Sequence, residues 1–171
     1  MLLTQIPAPA NGTGVPTFVE VGADDRGRLS GPAMRTFRSI ADSWSLSERE
    51  RLVLLGQPGR STYHQWARKA RDHQPLSLPF DALVRISALI GIEMGLSMLF
   101  EDRAQALTWM RGAHRGTAFS GASPMETILE GTQDGLMTVR RYLDAWRGGQ
   151  MGHGAPEGSF EPVTAEDLVF V

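Results

Sequence analysis

The sequence predicts an all-α protein. Two observations carry that reading: apolar residues recur at helical spacing in one segment after another from Ala33 onward, and several of those segments open on a helix cap and close on glycine. The two clearest starts are Ser47 with Glu50 and Ser123 with Glu126, both of the Ser-x-x-Glu form in which each residue satisfies the other's free backbone amide. At 171 residues the chain can build one compact domain or two small ones that share a core.

Residues 1–30 are rich in Pro, Gly and small polar residues and read as a flexible arm, with no helical stripe before Pro32. Thr17-Phe-Val-Glu-Val21 is an extended segment that pairs as a strand only if a partner offers an edge. From Ala33 a first helix places Phe37, Ile40, Ala41 and Trp44 on one face, with Arg35, Arg38 and Asp42 elsewhere. Ser47 opens a short second helix through Leu52 and Leu55, which Gly56 ends. Gln57-Pro-Gly59 is a tight connection to a third helix, residues 61–72, with Tyr63, Trp66, Ala67 and Ala70 inward.

A short helix, a glycine-bearing turn and a helix with a polar, basic outer face outline a helix-turn-helix within residues 31–78. Residues at the start of a recognition helix approach base edges, so Arg60, Ser61, Thr62 and Gln65 are the candidates for reading sequence, since Arg pairs with guanine and Gln with adenine. Arg68, Lys69 and Arg71 suit phosphates, and His64 suits either. Local charge agrees: residues 31–73 hold eight bases (Arg35, Arg38, Arg49, Arg51, Arg60, Arg68, Lys69, Arg71) against four acids (Asp42, Glu48, Glu50, Asp72), although the whole chain is at -2.

Two prolines keep residues 73–79 from being helical. Pro79 then starts a helix striped by Leu83, Ile86 and Ile90, Gly91 interrupts it, and Ile92, Leu96, Leu99 and Phe100 resume on a second short helix. Breadth of this kind implies burial on more than one side and offers a homodimer surface. Met94 and Met98 are expected as core filler. Further on, Ser123 caps a helix with Pro124 at its first position, Gly131 ends it, and Thr132 caps a last helix with the stripe Leu136, Val139, Leu143 and Trp146, stopped by Gly148-Gly149. Residues 151–171 turn through Gly152, Gly154, Pro156 and Gly158, carry four acids and no base, and finish on Leu-Val-Phe-Val. Those closing side chains call for a cover, either the chain's own core or a partner protein, and the hydrophobic–acidic mix favours the partner.

Reactive constellations are missing. With no cysteine there are no disulfides or thiolate sites, and the four histidines (His64, His73, His114, His153) have no metal-ligand spacing. Gly121-Ala-Ser-Pro-Met125 lacks the second glycine of a nucleophile elbow, so Ser123 is read as a cap, and His114-Arg115 as a solvated loop pair. The chain is therefore expected to be no enzyme and to need no cofactor or metal. No apolar run of the roughly 20 residues that span a bilayer stands out. Met1-Leu-Leu-Thr lacks the features of a signal peptide, which makes the cytoplasm the expected location.

Residues 98–150 resemble the toxin-binding domain of the Xre/MbcA/ParS-type antitoxins. The features that carry the resemblance come in order: the acidic-led helix Glu101-Asp-Arg-Ala-Gln-Ala-Leu-Thr-Trp-Met110, a loop from Gly112 to Gly121, the Ser123-Pro124-x-Glu126 turn, the step from Gly135 to Val139, and Gly148-Gly149. In the loop, His114-Arg-Gly-Thr-Ala-Phe119 stands where the family carries a Pro-Asn pair before the glycines. The resemblance implies an Xre-like helix-turn-helix and dimerisation region over residues 31–97, a toxin-binding domain over 98–150 and a tail over 151–171. It further implies a partner toxin of the RES type, similar to ADP-ribosyltransferases and consuming NAD, neutralised by occlusion, together with repression of the chain's own operon as a homodimer on operator DNA. Interface candidates are Arg140, Arg141, Trp146 and Arg147 on the last helix and Phe160, Leu168 and Phe170 in the tail. The competing reading is a stand-alone helix-turn-helix regulator whose carboxy-terminal part serves dimerisation or sensing.

Overall fold

A computed structural model describes residues 23–149. Among them are seven helices and no strand: α1 (Ala23–Ser43), α2 (Glu48–Leu54), α3 (Arg60–Arg71), α4 (Phe80–Leu99), α5 (Arg103–Arg111), α6 (Pro124–Leu129) and α7 (Gln133–Arg147). The all-α expectation is met. The readings placed on the segment 17–21, on His153 and on Phe160, Leu168 and Phe170 lie outside the described residues.

Local chemistry explains most element boundaries. Ser47 and Ser123 each accept a hydrogen bond from the backbone N–H three residues on, and Glu50 and Glu126 reach back to close the capping boxes. Those contacts hold both carboxyls below the usual glutamate range: at Glu50 chiefly through the Ser47 hydroxyl, at Glu126 chiefly through the Ser123 amide. Thr132 caps α7 through Gly135 N–H at 3.0 Å. After α2 the chain reverses through Gly56 and Gln57, both at positive φ.

Two stretches depart from the sequence reading. α1 begins at Ala23, inside the segment read as a flexible arm, and carries Pro32 in its interior. Proline there removes one helical hydrogen bond, so tertiary contacts must hold the first turns. Ser30 supplies one of them: fully buried, its hydroxyl donates to Arg26 O at 2.6 Å and accepts from Leu78 N–H at 2.8 Å, pinning the start of α1 to the chain just before α4. Met34, also fully buried, adds an apolar anchor one turn later.

The second departure is at Gly91, which does not interrupt a helix. α4 runs unbroken for 20 residues, across the boundary drawn at residue 97, with Gly91 and Gly95 inside it. Both glycines are sites of close approach to α7. A Cβ on Gly91 would stand 2.7 Å from Arg140 Nε, and one on Gly95 would stand 3.0 Å from Leu143 Cβ. Glycine therefore lets two helix backbones close up where a side chain would hold them apart. With a mean hydropathy of 1.7, α4 is also long and apolar enough to cross a membrane, a run that Arg85, Gly91 and Glu93 disguise in the sequence. Here its apolarity serves packing, against α1, α5 and α7.

A continuous core follows, from Phe37 and Trp44 on α1 through Ile86, Leu89 and Ile92 on α4 to Leu136, Val139 and Leu143 on α7. Polar contacts stitch the two halves as well. Glu93 accepts from Trp44 Nε1 at 2.8 Å and from Arg103 at 2.6 Å, while Arg111 donates to Trp44 O at 2.7 Å. On the opposite side Arg85 pairs with Asp81 and donates to Gly131 O at 2.9 Å. Val53 of α2 lies so near Gly131 that a Cβ there would meet it at 3.2 Å.

Candidate functional site

Two surfaces carry the candidate residues. The first is α3 with its approach. Gly59 precedes it without a side-chain cap, Tyr63 and Ala70 are buried against the core, and Trp66 and Ala67 are partly buried. Arg60, Ser61, His64, Gln65, Arg68 and Arg71 are exposed, whereas Thr62 and Lys69 are partly covered. Arg60 and His64 share one acid: Glu48, the first residue of α2, accepts from Arg60 Nε at 2.5 Å and its other oxygen lies 3.3 Å from His64 Nε2. Arg71 is paired with its neighbour Asp72, whose carboxyl it holds below the ordinary range, while Arg68 and Lys69 have no ion pair among the described residues. Sequence inspection missed Glu48, because its role appears only when α2 and α3 are brought together across twelve residues.

The second surface is built by α5, α6, α7 and the end of α4. Its centre is an aromatic cluster. Trp109 stacks on Tyr142 with ring centres 5.8 Å apart, Trp146 lies edge-on to Phe100 at 5.7 Å, and Phe119 meets Tyr142 at 5.0 Å. Burial raises the Tyr142 hydroxyl above its ordinary pKa. His114 corrects an expectation, since it is not a solvated loop residue: its ring packs 5.1 Å from Trp109 and its Nε2 lies 2.9 Å from Trp109 O. The loop it belongs to is closed by backbone bonds, His114 N–H to Ala122 O at 3.1 Å and Gly121 N–H to His114 O at 2.9 Å. Arg115 stays exposed.

The α7 candidates divide accordingly. Trp146 is partly buried in the aromatic cluster, and Arg140 lies over Gly91, 3.7 Å from Asp144. Arg141 and Arg147 are exposed. Arg141 bonds Asp134 at 3.1 Å, and Arg147 reaches both Asp144 at 3.5 Å and the Met98 sulfur at 3.3 Å. Met98 is 58% exposed and Met94 49%, which overturns the expectation that they fill the core. Helical spacing carries them onto the outward side of α4. No group of three or more metal-ligating side chains occurs among the described residues.

The helices that build this second surface coincide with a known domain. Residues 96–149 match the family model of the antitoxin Xre/MbcA/ParS C-terminal toxin-binding domain, so this part of the chain is a domain of that antitoxin family. Antitoxins of this family bind a toxin, and the family is not a class of enzymes. Over 116 residues the chain is 40% identical to the uncharacterized protein y4oB of Sinorhizobium fredii, an alignment covering 68% of this chain and 84% of that one.

Proposed function

We propose that the chain neutralises a RES-type, NAD-consuming toxin by covering the entrance to its active site, and that it represses its own operon as a dimer on DNA. The observation that carries the proposal is the coincidence of the toxin-binding domain, residues 96–149, with the α5–α7 surface, on which the exposed Arg147 lies against the exposed Met98 and Arg141 is also open to solvent. Catalytic groups and the NAD site belong to the partner in this account. Arginine and methionine are over-represented in buried interface centres, where a charged fork or a flexible thioether fits a concave partner. The exposed polar and basic face of α3 supports the DNA contact, with Arg68 and Lys69 available to phosphates. Phe80, 51% exposed, and Leu29, 46%, border an apolar groove of about 690 Å³ between α1 and α4, which supports association of two copies.

A titration tests the toxin-binding half of the reading. NAD consumption by the purified toxin is measured against rising amounts of the wild-type chain and of Arg147→Glu. Loss of one arginine anchor is worth about 2 kcal/mol at an interface, so the variant is expected to need roughly thirty-fold more protein for the same inhibition. Equal potency removes Arg147 from the interface, and absence of inhibition by the wild-type chain removes the RES assignment.

A further inference from the structure

Arg60 is in an awkward place for a structural residue. It opens α3, where the helix dipole disfavours a cation, and its side chain is 76% exposed, so it covers little apolar surface. Glu48 meets it there. The carboxylate takes Arg60 Nε on one oxygen at 2.5 Å and stands 3.3 Å from His64 Nε2 with the other. His64 is one turn further along α3, so a single acid on α2 sets the first two turns of the exposed face. Exposed pairs of this kind add little to stability, and this one lies at the edge of the fold with 35% of the Glu48 side chain open to solvent.

The atoms used are informative. A guanidinium can offer guanine either Nε with one terminal nitrogen or both terminal nitrogens, and either fork fits the O6 and N7 acceptors in the major groove. With Nε committed to Glu48, the first fork is closed and the second is left on a side chain that stays largely open to solvent. We propose that Glu48 is a positioning residue that fixes Arg60 as an end-on reader of guanine, and that its charge weakens attachment to DNA lacking that guanine by repelling phosphate. This inference rests on the DNA-binding half of the proposed function and specifies one base of the site.

The test selects binding sites from a randomised duplex library with the full chain, with Arg60→Ala, with Glu48→Ala and with the milder Glu48→Gln, which keeps an acceptor for Nε. The wild-type chain enriches sites with a required guanine, and Arg60→Ala loses the requirement at that position alone. Glu48→Ala relaxes guanine preference at the same position by about ten-fold while binding unselected duplex more tightly, and Glu48→Gln falls between. A guanine preference unchanged in Glu48→Ala, or a site unaltered by Arg60→Ala, overturns the inference and leaves DNA binding standing. Failure of the wild-type chain to enrich any sequence overturns both.

Discussion

Gly91 and Gly95 lie four residues apart on α4 and face the same neighbour, yet alanine should act oppositely at the two. In a helix interior, Gly→Ala gains up to about 1 kcal/mol from backbone entropy at either position. What opposes the gain differs. At Gly91 the new Cβ meets the far end of Arg140, with Nε at 2.7 Å and Cζ at 2.9 Å, and a half-exposed arginine can swing aside by rotating its outer bonds. At Gly95 the obstacle is Leu143 Cβ at 3.0 Å, an atom fixed to the α7 backbone in a residue with no exposure. Relief there requires α7 to move away from α4, and overpacking of that kind costs about 1–3 kcal/mol. Gly91→Ala is therefore expected to be neutral or up to about 1 kcal/mol stabilising, and Gly95→Ala to lose about 1–2 kcal/mol net. Thermal unfolding followed by circular dichroism reads this as a drop of roughly 3–8 °C for Gly95→Ala and no drop for Gly91→Ala. A rise in Tm for Gly95→Ala, or a larger loss at Gly91, would refute the close approach of α4 and α7.

Other consequences are checked as directly. Glu93→Leu strands the buried Trp44 indole N–H and removes the ion pair of the half-exposed Arg103, and denaturant unfolding should show a loss of about 1–3 kcal/mol, larger than for Glu101→Leu on the exposed turn nearby. Ser123→Ala removes the cap of α6 and should cost about 1 kcal/mol by the same measurement. Acid should matter at the capping boxes: Glu50 and Glu126 are depressed in the folded chain, so their contribution is present above the ordinary glutamate pKa of 4.5 and fades as pH falls through the lower folded value. A Glu126→Gln chain should thus lose less stability on acidification than the wild type; identical acid limbs would contradict the box.

Helix ends were the most legible part of the fold, because capping is local chemistry: Ser47 with Glu50, Ser123 with Glu126 and Thr132 all act where the sequence places them. Tertiary compensation was hidden. Pro32 and Gly31 signal a break, and distant contacts explain why α1 continues through them, the amide of Leu78 held by Ser30 and the burial of Met34 among them. Glycine is ambiguous in the same way, since Gly91 marks a close approach and Gly56 a turn, and the residue type does not say which. In the candidate sites, helical spacing placed the polar face of α3 outward but gave no sign of Glu48. It also assigned Met94 and Met98 inward, since apolar residues on a broad stripe carry no label for the side a partner covers.

A bound toxin is what the proposed function requires above all. Purifying the tagged full chain from its native host and identifying what co-elutes by mass spectrometry tests that most directly. The expected result is a stoichiometric small protein that consumes NAD once freed and not while bound. A chain that emerges alone while still retarding its own promoter DNA would contradict the account and leave a transcriptional regulator in its place.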